Sequence, residues 1–413
     1  MTKESQNRTL STGVSQLFTR TGTIALAAGL LLIKSRIWMW TAASCLLAAL
    51  AIPAGLAAQD KPDHQPTIIT IDVPGAGTGA NQGTTPYAIN PSGEVTGFYI
   101  DANNISHGFV WKCDRERSGQ ECTECKGTIT TFDPLDSVST LVFSINAEGE
   151  IAGEYYDESY LAHGFLRARD GSITTFLAPD LMNTYVSSIN AEGAITGNYF
   201  GDEYSITGFE PGYLRTRDGT ITTFNPPGSV YTFPNSINDR GEIAGEYIDA
   251  NNRYHGFLRT RDSDFATFEG PGAGTAAYHG TLAESISPEG VIVGNYVDSN
   301  TLSHGYLRGP DGVITTFDAP GSVNGTFPQN INARGEIVGE YADVNKTYHG
   351  FVRSRDGHFA TFDAPGAGTG TYQGTFADSI NPEGSITGYY IDASNVGHGF
   401  VREGDPESRF SPR

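Results

Sequence analysis

The main pattern in the chain is a strict alternation of positions that occurs in seven copies. Each copy contains a segment like EIAGEYI, in which an apolar residue, a glycine and a tyrosine occupy every second position. Side chains two residues apart share one face of a strand, so this period predicts a β-strand with one buried face. The apolar position is held by Val95, Ile151, Ile195, Ile243, Ile292, Ile337 and Ile386.

The sequence around this segment divides into four short predicted strands. Strand A is the SIN segment, strand B the alternating segment, strand C resembles HGFLR and strand D resembles ITTFD. Strand A is anchored by Ile89, Ile145, Ile189, Ile237, Ile286, Ile331 and Ile380, which are 44 to 56 residues apart. Four strands with this period are typical of a β-propeller blade.

The two ends of the repeat region are out of phase with the repeat. The segment TIITIDVPG at 67–75 is a D strand without a preceding A, B or C, and HGFVRE at 398–403 is a C strand without a following D. The first strand can therefore complete the last blade and remove the exposed sheet edges. We predict an all-β fold, a single seven-bladed β-propeller of four-stranded blades over residues 67–403, closed by this N-terminal strand.

The C strands carry the triplet His-Gly-Phe, with His-Gly-Tyr at 304–306 as a variant. This triplet and its spacing resemble the bacterial HAF-type extracellular repeat proteins over residues 67–403. The resemblance implies export and a propeller fold, and it implies no catalytic residue.

An aspartate precedes the repeat histidine by six residues in six of the copies. The pairs are Asp101/His107, Asp157/His163, Asp249/His255, Asp298/His304, Asp343/His349 and Asp392/His398. The third copy has Gly201 and Pro211 instead, so both partners are lost together. An enzyme has one catalytic constellation per site, so we interpret the pairs as structural tethers across the B–C loop and not as catalytic dyads.

Three D–A loops are longer than the others, and we predict that they form a ligand-binding sector. They contain GAGTGANQGT, GAGTAAYHGT and GAGTGTYQGT, and their tips carry Asn81, Gln82, Tyr278, His279, Tyr372 and Gln373. Aromatic and amide side chains suit sugars or peptides, and the alternative is that these are ordinary loop residues. The GAGTG segments precede strands, so they lack the helix N-terminus of a phosphate site.

No cofactor and no metal site are expected from the motifs. The DANN and DASN segments offer oxygen ligands for weak Ca²⁺ binding, but no copy has the run of alternating carboxylates that a tight site needs, so we interpret them as Asx turns. Cys113, Cys122 and Cys125 lie in an insertion after the first C strand. We expect one disulfide, from Cys113 to Cys122 or Cys125, because a zinc site would need a fourth ligand.

Charge and the N-terminal segment bear on location and partners. The formal net charge of −21 argues against nucleic-acid binding. A basic lead, an apolar stretch from Ile37 to Ala58 and small residues before Gln59 predict a signal peptide over 1–58, although a second apolar run precedes Lys34. The alternative is a retained membrane anchor. Residues 59–66 then form a linker, and 404–413 a disordered tail.

The predicted function is that of a monomeric, extracellular or periplasmic binding module without catalytic activity. Its partner would be a glycan, a peptide or a cell-surface protein. The alternative is a propeller-type lyase or hydrolase that acts on a polysaccharide or a small cyclic substrate. Such an enzyme needs an acid/base set that is not repeated. Within residues 67–403 the histidines outside the repeated motif are His279 and His358, and neither has an evident partner in the sequence.

Overall fold

A computed structural model describes residues 66–113, 127–178, 183–200 and 210–404 of the chain. Within these residues the structure is all-β, with 28 strands and no helix. None of them belongs to a helix that is long and apolar enough to cross a membrane. The predicted signal peptide, most of the linker, Cys122, Cys125, Gly201 and residues 405–413 lie outside the described residues.

The strands form antiparallel units of four. The first three units are β2 (Gly83–Ile89), β3 (Val95–Ile100), β4 (Ser106–Cys113) and β5 (Gly127–Phe132); β6 (Ser139–Ile145), β7 (Ile151–Tyr156), β8 (Ala162–Arg167) and β9 (Ile173–Phe176); β10 (Asn183–Ile189), β11 (Ile195–Phe200), β12 (Gly212–Arg215) and β13 (Ile221–Phe224). The next two are β14 (Ser229–Ile237), β15 (Ile243–Asp249), β16 (Tyr254–Arg259) and β17 (Phe265–Phe268); β18 (Gly280–Ile286), β19 (Ile292–Val297), β20 (Ser303–Arg308) and β21 (Ile314–Phe317).

The chain continues with β22 (Thr326–Ile331), β23 (Ile337–Ala342), β24 (Tyr348–Arg353) and β25 (Phe359–Phe362), and then with β26 (Gly374–Ile380), β27 (Ile386–Ile391) and β28 (Gly397–Arg402). The fourth strand beside β28 is β1 (Ile68–Ile71), from the other end of the chain. Its register runs from Ile68 opposite Arg402 to Ile71 opposite Gly399. This is the pairing that the out-of-phase ends predict.

The His-Gly-Phe triplet has a packing role at its second and third positions. The phenylalanine is fully buried, as at Phe109 and Phe165. The glycine lies under the ring of the fourth strand, because a Cβ at Gly108 would be 2.8 Å from the Phe132 ring. Strand B needs its glycine for the same reason, since a Cβ at Gly97 would lie 2.2 Å from the carbonyl oxygen of Thr85 on β2.

Successive units are joined by an arginine that stacks on a phenylalanine. Arg167 lies 4.8 Å from the ring centre of Phe132 in the preceding unit, and Arg215, Arg259, Arg308, Arg353 and Arg402 repeat this cation–π contact. The first unit has Trp111 at this position, and β1 has Ile71 in place of phenylalanine. These two side chains pack in one apolar cluster with Val401 of β28.

A ladder of asparagines links the A–B turns of neighbouring units. The Nδ2 atom of Asn90 donates to the carbonyl oxygen of Asn146, and the links continue from Asn146 to Asn190, Asn190 to Asn238 and Asn238 to Ser287. Further links run from Asn332 to Asn381 and from Asn381 back to Asn90. The asparagines also fix their own turns, because Oδ1 accepts backbone N–H groups two to four residues later.

Candidate functional site: the loop face

Antiparallel pairing places all B–C and D–A loops at one end of the units, and we name this end the loop face. The A–B and C–D turns form the opposite end, which we name the turn face. The repeat histidines, the long loops and the predicted tethers all belong to the loop face.

The repeat histidines mostly pair with a carboxylate that the sequence analysis did not single out. This carboxylate follows the last residue of strand D. The Nδ1 atom lies 2.7 Å from the carboxylate in His107–Asp133, 3.0 Å in His304–Asp318, 2.9 Å in His349–Asp363 and 3.0 Å in His398–Asp72, and His255 pairs with Glu269. The aspartate of the ITTFD pattern was the available sequence signal.

The predicted Asp/His pairs are close together, but only one forms the expected hydrogen bond. His163 Nε2 lies 2.8 Å from Asp157 Oδ2. In the other five pairs the separation between Nε2 and Oδ2 is 3.4 to 3.9 Å. The physical reason is competition between two carboxylates. Strand β9 is followed by Leu177 and not by an acid, so His163 has Asp157 alone, whereas the other histidines have a second acid.

Each repeat histidine also stacks on the tyrosine of strand B. The ring centres are 4.8 to 5.2 Å apart in the pairs Tyr99/His107, Tyr155/His163, Tyr247/His255, Tyr296/His304, Tyr341/His349 and Tyr390/His398. The histidine is thus held by a ring on one side and by carboxylates at its edges. A side chain constrained in this way, six times over, favours a structural role.

The aspartates shape the B–C loops by accepting backbone N–H groups. Asp249 Oδ1 accepts from Asn251 at 2.8 Å and from Arg253 at 3.0 Å, which is an Asx turn, and all six aspartates repeat this pattern. Burial acts to raise the pKa of Asp249, but these bonds and His255 outweigh it and lower the pKa to about 2. The carboxylate is therefore held as an anion by its own loop.

Two of the predicted ligand-binding residues form intramolecular hydrogen bonds with their side-chain amides. Gln82 Oε1 accepts from the backbone of Gly79 at 2.9 Å, and its Nε2 donates to Asn104 at 3.0 Å. Gln373 makes the equivalent bonds to Gly370 and to Asn395, both at 3.0 Å. These two amides therefore brace the long loops, and their contact with a ligand stays a prediction.

The remaining predicted ligand-binding residues differ in exposure. His279 is buried, and its Nδ1 lies 3.1 Å from the carbonyl oxygen of Ala277. Tyr372 is partly buried, with Lys346 over its ring at 5.9 Å. Asn81, Tyr278 and Tyr372 all have positive φ angles. Asn81 and Tyr278 are exposed, Tyr278 to 45%.

Exposed large apolar side chains are concentrated on the loop face. Six of the seven in the described residues lie there, namely Ile105, Leu135, Tyr160, Tyr278, Val323 and Val344. Leu135 is 85% exposed and Val344 70%. The seventh, Val313, lies in a C–D turn on the turn face.

The same face is strongly acidic. Its acidic side chains include Asp72, Asp101, Asp133, Asp136, Asp157, Glu158, Asp249, Glu269, Asp298, Asp318, Asp343, Asp363 and Asp392. Among the residues that the structure describes, its only lysine or arginine side chains are Arg253 and Lys346. The arginines at the ends of the C strands and in the following turns lie at the turn-face end of the units.

Two cavities lie on the turn face. One of about 190 Å³ lies between A–B turns and is lined by Asn146, Asn190, Asn238 and Pro288 among others. The other, of about 470 Å³, is open and is lined by Glu148, Glu150, Arg169, Ala191 and Arg217. Neither is formed by the long loops. His358, also on this face, lies 2.9 Å from Asp356 in an exposed hairpin.

Cys113 is disulfide-bonded, at the end of β4. Its partner lies outside the described residues, as do both predicted candidates, Cys122 and Cys125. No group of three or more His, Cys, Asp or Glu side chains in the described ranges is arranged as a metal site.

No protein-family model matches the chain, and no curated protein sequence does either. Solved structures do. Virginiamycin B lyase from Staphylococcus aureus is 14% identical, with a TM-score of 0.51 over 81% of this chain and 99% of that one. The β-propeller domain of the Trilobed protease from Pyrococcus furiosus is 9% identical, with a TM-score of 0.49 over 78% and 97% of the two chains. TolB from Acinetobacter baumannii is 12% identical, with a TM-score of 0.45 over 66% and 63%.

The likeness to the lyase bears on the fold alone, because the identity is 14%. Together with the all-β units of four antiparallel strands, it supports a β-propeller as the architecture of this protein.

Proposed function

We propose that the protein is an exported, closed seven-bladed β-propeller that binds a cationic polypeptide through its loop face and catalyses no reaction. Closure is supported by three independent contacts between the ends of the repeat region. These are the pairing of β1 with β28, the hydrogen bond from Asn381 to Asn90, and the apolar cluster of Ile71, Trp111 and Val401.

The observation that carries the binding proposal is the coincidence of exposed apolar side chains and negative charge on one face. Leu135 is 85% exposed and Val344 70%, and apolar side chains exposed together on one face mark an interaction surface. On the same face, Asp72, Asp318 and Asp363 are about half exposed. Apolar contacts with an acidic surround suit a partner that presents basic and apolar side chains, because complementary charge speeds association and excludes acidic partners.

Two features support a non-catalytic, exported protein. The repeat histidines are held by their own carboxylates and tyrosines, which leaves them poorly placed as acids or bases for a substrate. The disulfide at Cys113 fits an oxidising compartment. The predicted signal peptide supports the same location.

The test is a binding screen of the purified protein against peptides of graded charge and against glycans, at low and high salt. We expect retention of peptides that combine basic and apolar residues, weakened by salt because exposed charges are screened. Leu135→Ser and Val344→Ser should each weaken binding by roughly tenfold, as for a lost apolar anchor.

Val313→Ser is the matched control, since Val313 is 61% exposed but lies on the turn face. Equal affinity of all three variants would place binding elsewhere. Retention of neutral glycans without basic peptides would refute the proposed partner class.

A further inference from the structure

The three long loops attach to the B–C loop of the preceding unit in the same way. One backbone N–H of each long loop donates to a carbonyl oxygen of that B–C loop at 2.6 to 2.8 Å, from Tyr278 to Asn252, from Tyr372 to Lys346 and from Asn81 to Asn395. All six of these residues have φ angles between 60° and 66°. The backbones are therefore equivalent at these positions, and the three pairs differ in their side chains.

In the loop that enters the seventh unit, a cation of the protein itself covers the tyrosine ring. Lys346 Nζ lies 5.9 Å from the ring centre of Tyr372, which is within the range of a cation–π contact. The lysine belongs to the sixth unit and the tyrosine to the loop that follows it. This pair shows that the position of the tyrosine can receive a positive charge from the neighbouring B–C loop.

The loop that enters the fifth unit has the tyrosine without the lysine. Asn252, which carries no charge, stands in the place of Lys346. Within the described part of the chain no cationic side chain lies over the ring of Tyr278, which is 45% exposed. The adjacent Arg253 is engaged elsewhere, because its Nε donates to the carbonyl oxygen of Gly274 at 3.2 Å and its guanidinium pairs with Glu269.

The backbone does not explain why this position is a tyrosine. A φ of 63° lies in the left-handed region, which asparagine adopts more readily than a bulky residue. Asn81 shows that asparagine serves at the equivalent position. Because nearly half of the Tyr278 side chain is exposed, packing offsets little of the conformational cost. Contact with another molecule is the reason that remains for the aromatic ring.

We propose that the ring of Tyr278 binds a lysine or arginine side chain of the partner, in the place that Lys346 occupies over Tyr372. This inference rests on the proposed function, because it assigns one contact of the cationic polypeptide. The adjoining loops are acidic, since they carry Asp249 and Asp298, and Ala273 of the long loop forms a backbone bridge with Asp298. Negative charge attracts the cation to this part of the loop face, and the ring fixes its position.

The experiment measures binding of three synthetic peptides by calorimetry: one of alternating lysine and leucine, one with arginine for lysine, and one with glutamine for lysine. We expect the wild-type protein to bind the two cationic peptides. Tyr278→Asn should weaken that binding roughly threefold to tenfold, as for a lost cation–π contact, and Tyr278→Phe should keep most of it. Tyr372→Asn is the matched control and should bind as the wild-type protein does, because Lys346 already covers that ring.

A second variant occupies the ring from within the protein. Asn252→Lys should place an ammonium group over Tyr278, as Lys346 does over Tyr372, and weaken peptide binding. An added charge on this face also repels the peptides directly, so the same substitution is measured in the Tyr278→Asn background. There its effect should be smaller by roughly threefold, because the ring for which the two cations compete is absent.

The outcomes separate this inference from the proposed function. Undiminished binding by Tyr278→Asn, or an equal loss in Tyr372→Asn, would overturn the inference and leave the proposed function standing. The melting temperature of Tyr278→Asn should equal or exceed that of the wild-type protein, and a decrease would overturn the inference because the ring would then serve the fold. If neither cationic peptide binds to the wild-type protein, the proposed function and this inference are both refuted.

Discussion

At the scale of single residues, two carboxylates compete for the hydrogen bond of the repeat histidine in five of the units. His107 lies 2.7 Å from Asp133 and 3.9 Å from Asp101, whereas His163 lies 2.8 Å from Asp157. The histidine bonds to the acid that directly follows strand D wherever such an acid is present. The aspartate of the B–C loop keeps its role in either case, because its Oδ1 atom holds the loop backbone.

Double-mutant cycles should resolve this choice. Alanine substitutions at His107 and Asp133 should show a coupling of about 0.2–1 kcal/mol in the free energy of unfolding, as for partly exposed pairs. The pair His163 and Asp157 should show a similar coupling. His107 and Asp101 should be nearly additive, since 3.9 Å exceeds hydrogen-bond distance. A stronger coupling of His107 to Asp101 than to Asp133, measured by denaturant unfolding, would contradict this assignment.

Glu154 gives the fold a pH dependence of a definite sign. Burial raises its pKa from 4.5 to about 8, although the N–H of Val186 acts in the opposite direction. In the native state the Glu154 carboxyl group therefore stays protonated at pH values where it is ionised in the unfolded chain. Stability from this group is full below about pH 4.5 and decreases as the pH rises towards 8.

The variant Glu154→Gln should remove this dependence. Between pH 5 and pH 8, we expect the free energy of unfolding of this variant to increase by roughly 2–4 kcal/mol relative to that of the wild-type protein, because a shift of one pKa unit corresponds to about 1.4 kcal/mol. The measurement is urea unfolding at several pH values. Glu148→Gln, at an exposed turn position, is the control and should leave the pH curve unchanged. Parallel curves for the wild-type protein and Glu154→Gln would refute the assignment.

At the scale of elements, hydrogen bonds between the A–B turns connect neighbouring units. One link of the ladder is missing in the described residues, from Ser287 to Asn332. Ser287 still holds its own turn, because its Oγ accepts from Val291 at 3.2 Å. Its hydroxyl is too short to reach the next unit as the asparagine amides do, so serine keeps the local bond and loses the link.

The substitution Ser287→Asn should restore the link and raise the free energy of unfolding by about 0.5–1.5 kcal/mol, the range for one hydrogen bond. Asn190→Ser is the reciprocal change and should lower it by a similar amount, since it removes the bond to Asn238. Thermal and denaturant unfolding of both variants provide the measurement. A loss of stability in Ser287→Asn would show that the turn, and not the missing amide, sets the spacing there.

At the scale of the whole molecule, the ends of the chain meet in one unit. Because β1 is the outer strand beside β28, deletion of residues 67–75 should expose the edge of β28 and the cluster around Trp111. We expect the melting temperature to fall by roughly 10 °C or more, or the protein to become insoluble.

Reattachment provides the control for that deletion. Residues 67–75 placed after Arg402, through a hairpin copied from the turn Ser354–His358, should restore the lost stability, since the strand can pair as before. Melting curves of the deleted and permuted proteins test this. Unchanged melting after deletion, or no recovery on reattachment, would contradict the closure that we propose.

The sequence by itself determined the strands and their grouping. A period of two with isoleucine, glycine and tyrosine on one face predicts a β-strand, and seven copies of it leave little freedom in the choice of fold. The structure buries both faces of these strands, as in β19 and β23, which the alternation alone did not indicate. The orphan D strand predicted the pairing of β1 with β28 because an unpaired edge is costly. The Asx turns could also be predicted from the sequence, because each one forms within a segment of five residues.

The tertiary structure decided which side chains meet. Asp101 and Asp133 are both possible partners of His107 in the sequence. Only the antiparallel pairing of β5 with β4 brings Asp133 nearer to His107. Gln82 and Gln373 have the composition of a ligand site, but their amides are used by neighbouring loops. Glu154 and Val186 belong to different repeats, so the hydrogen bond between them follows from the contact between units, which no local pattern records.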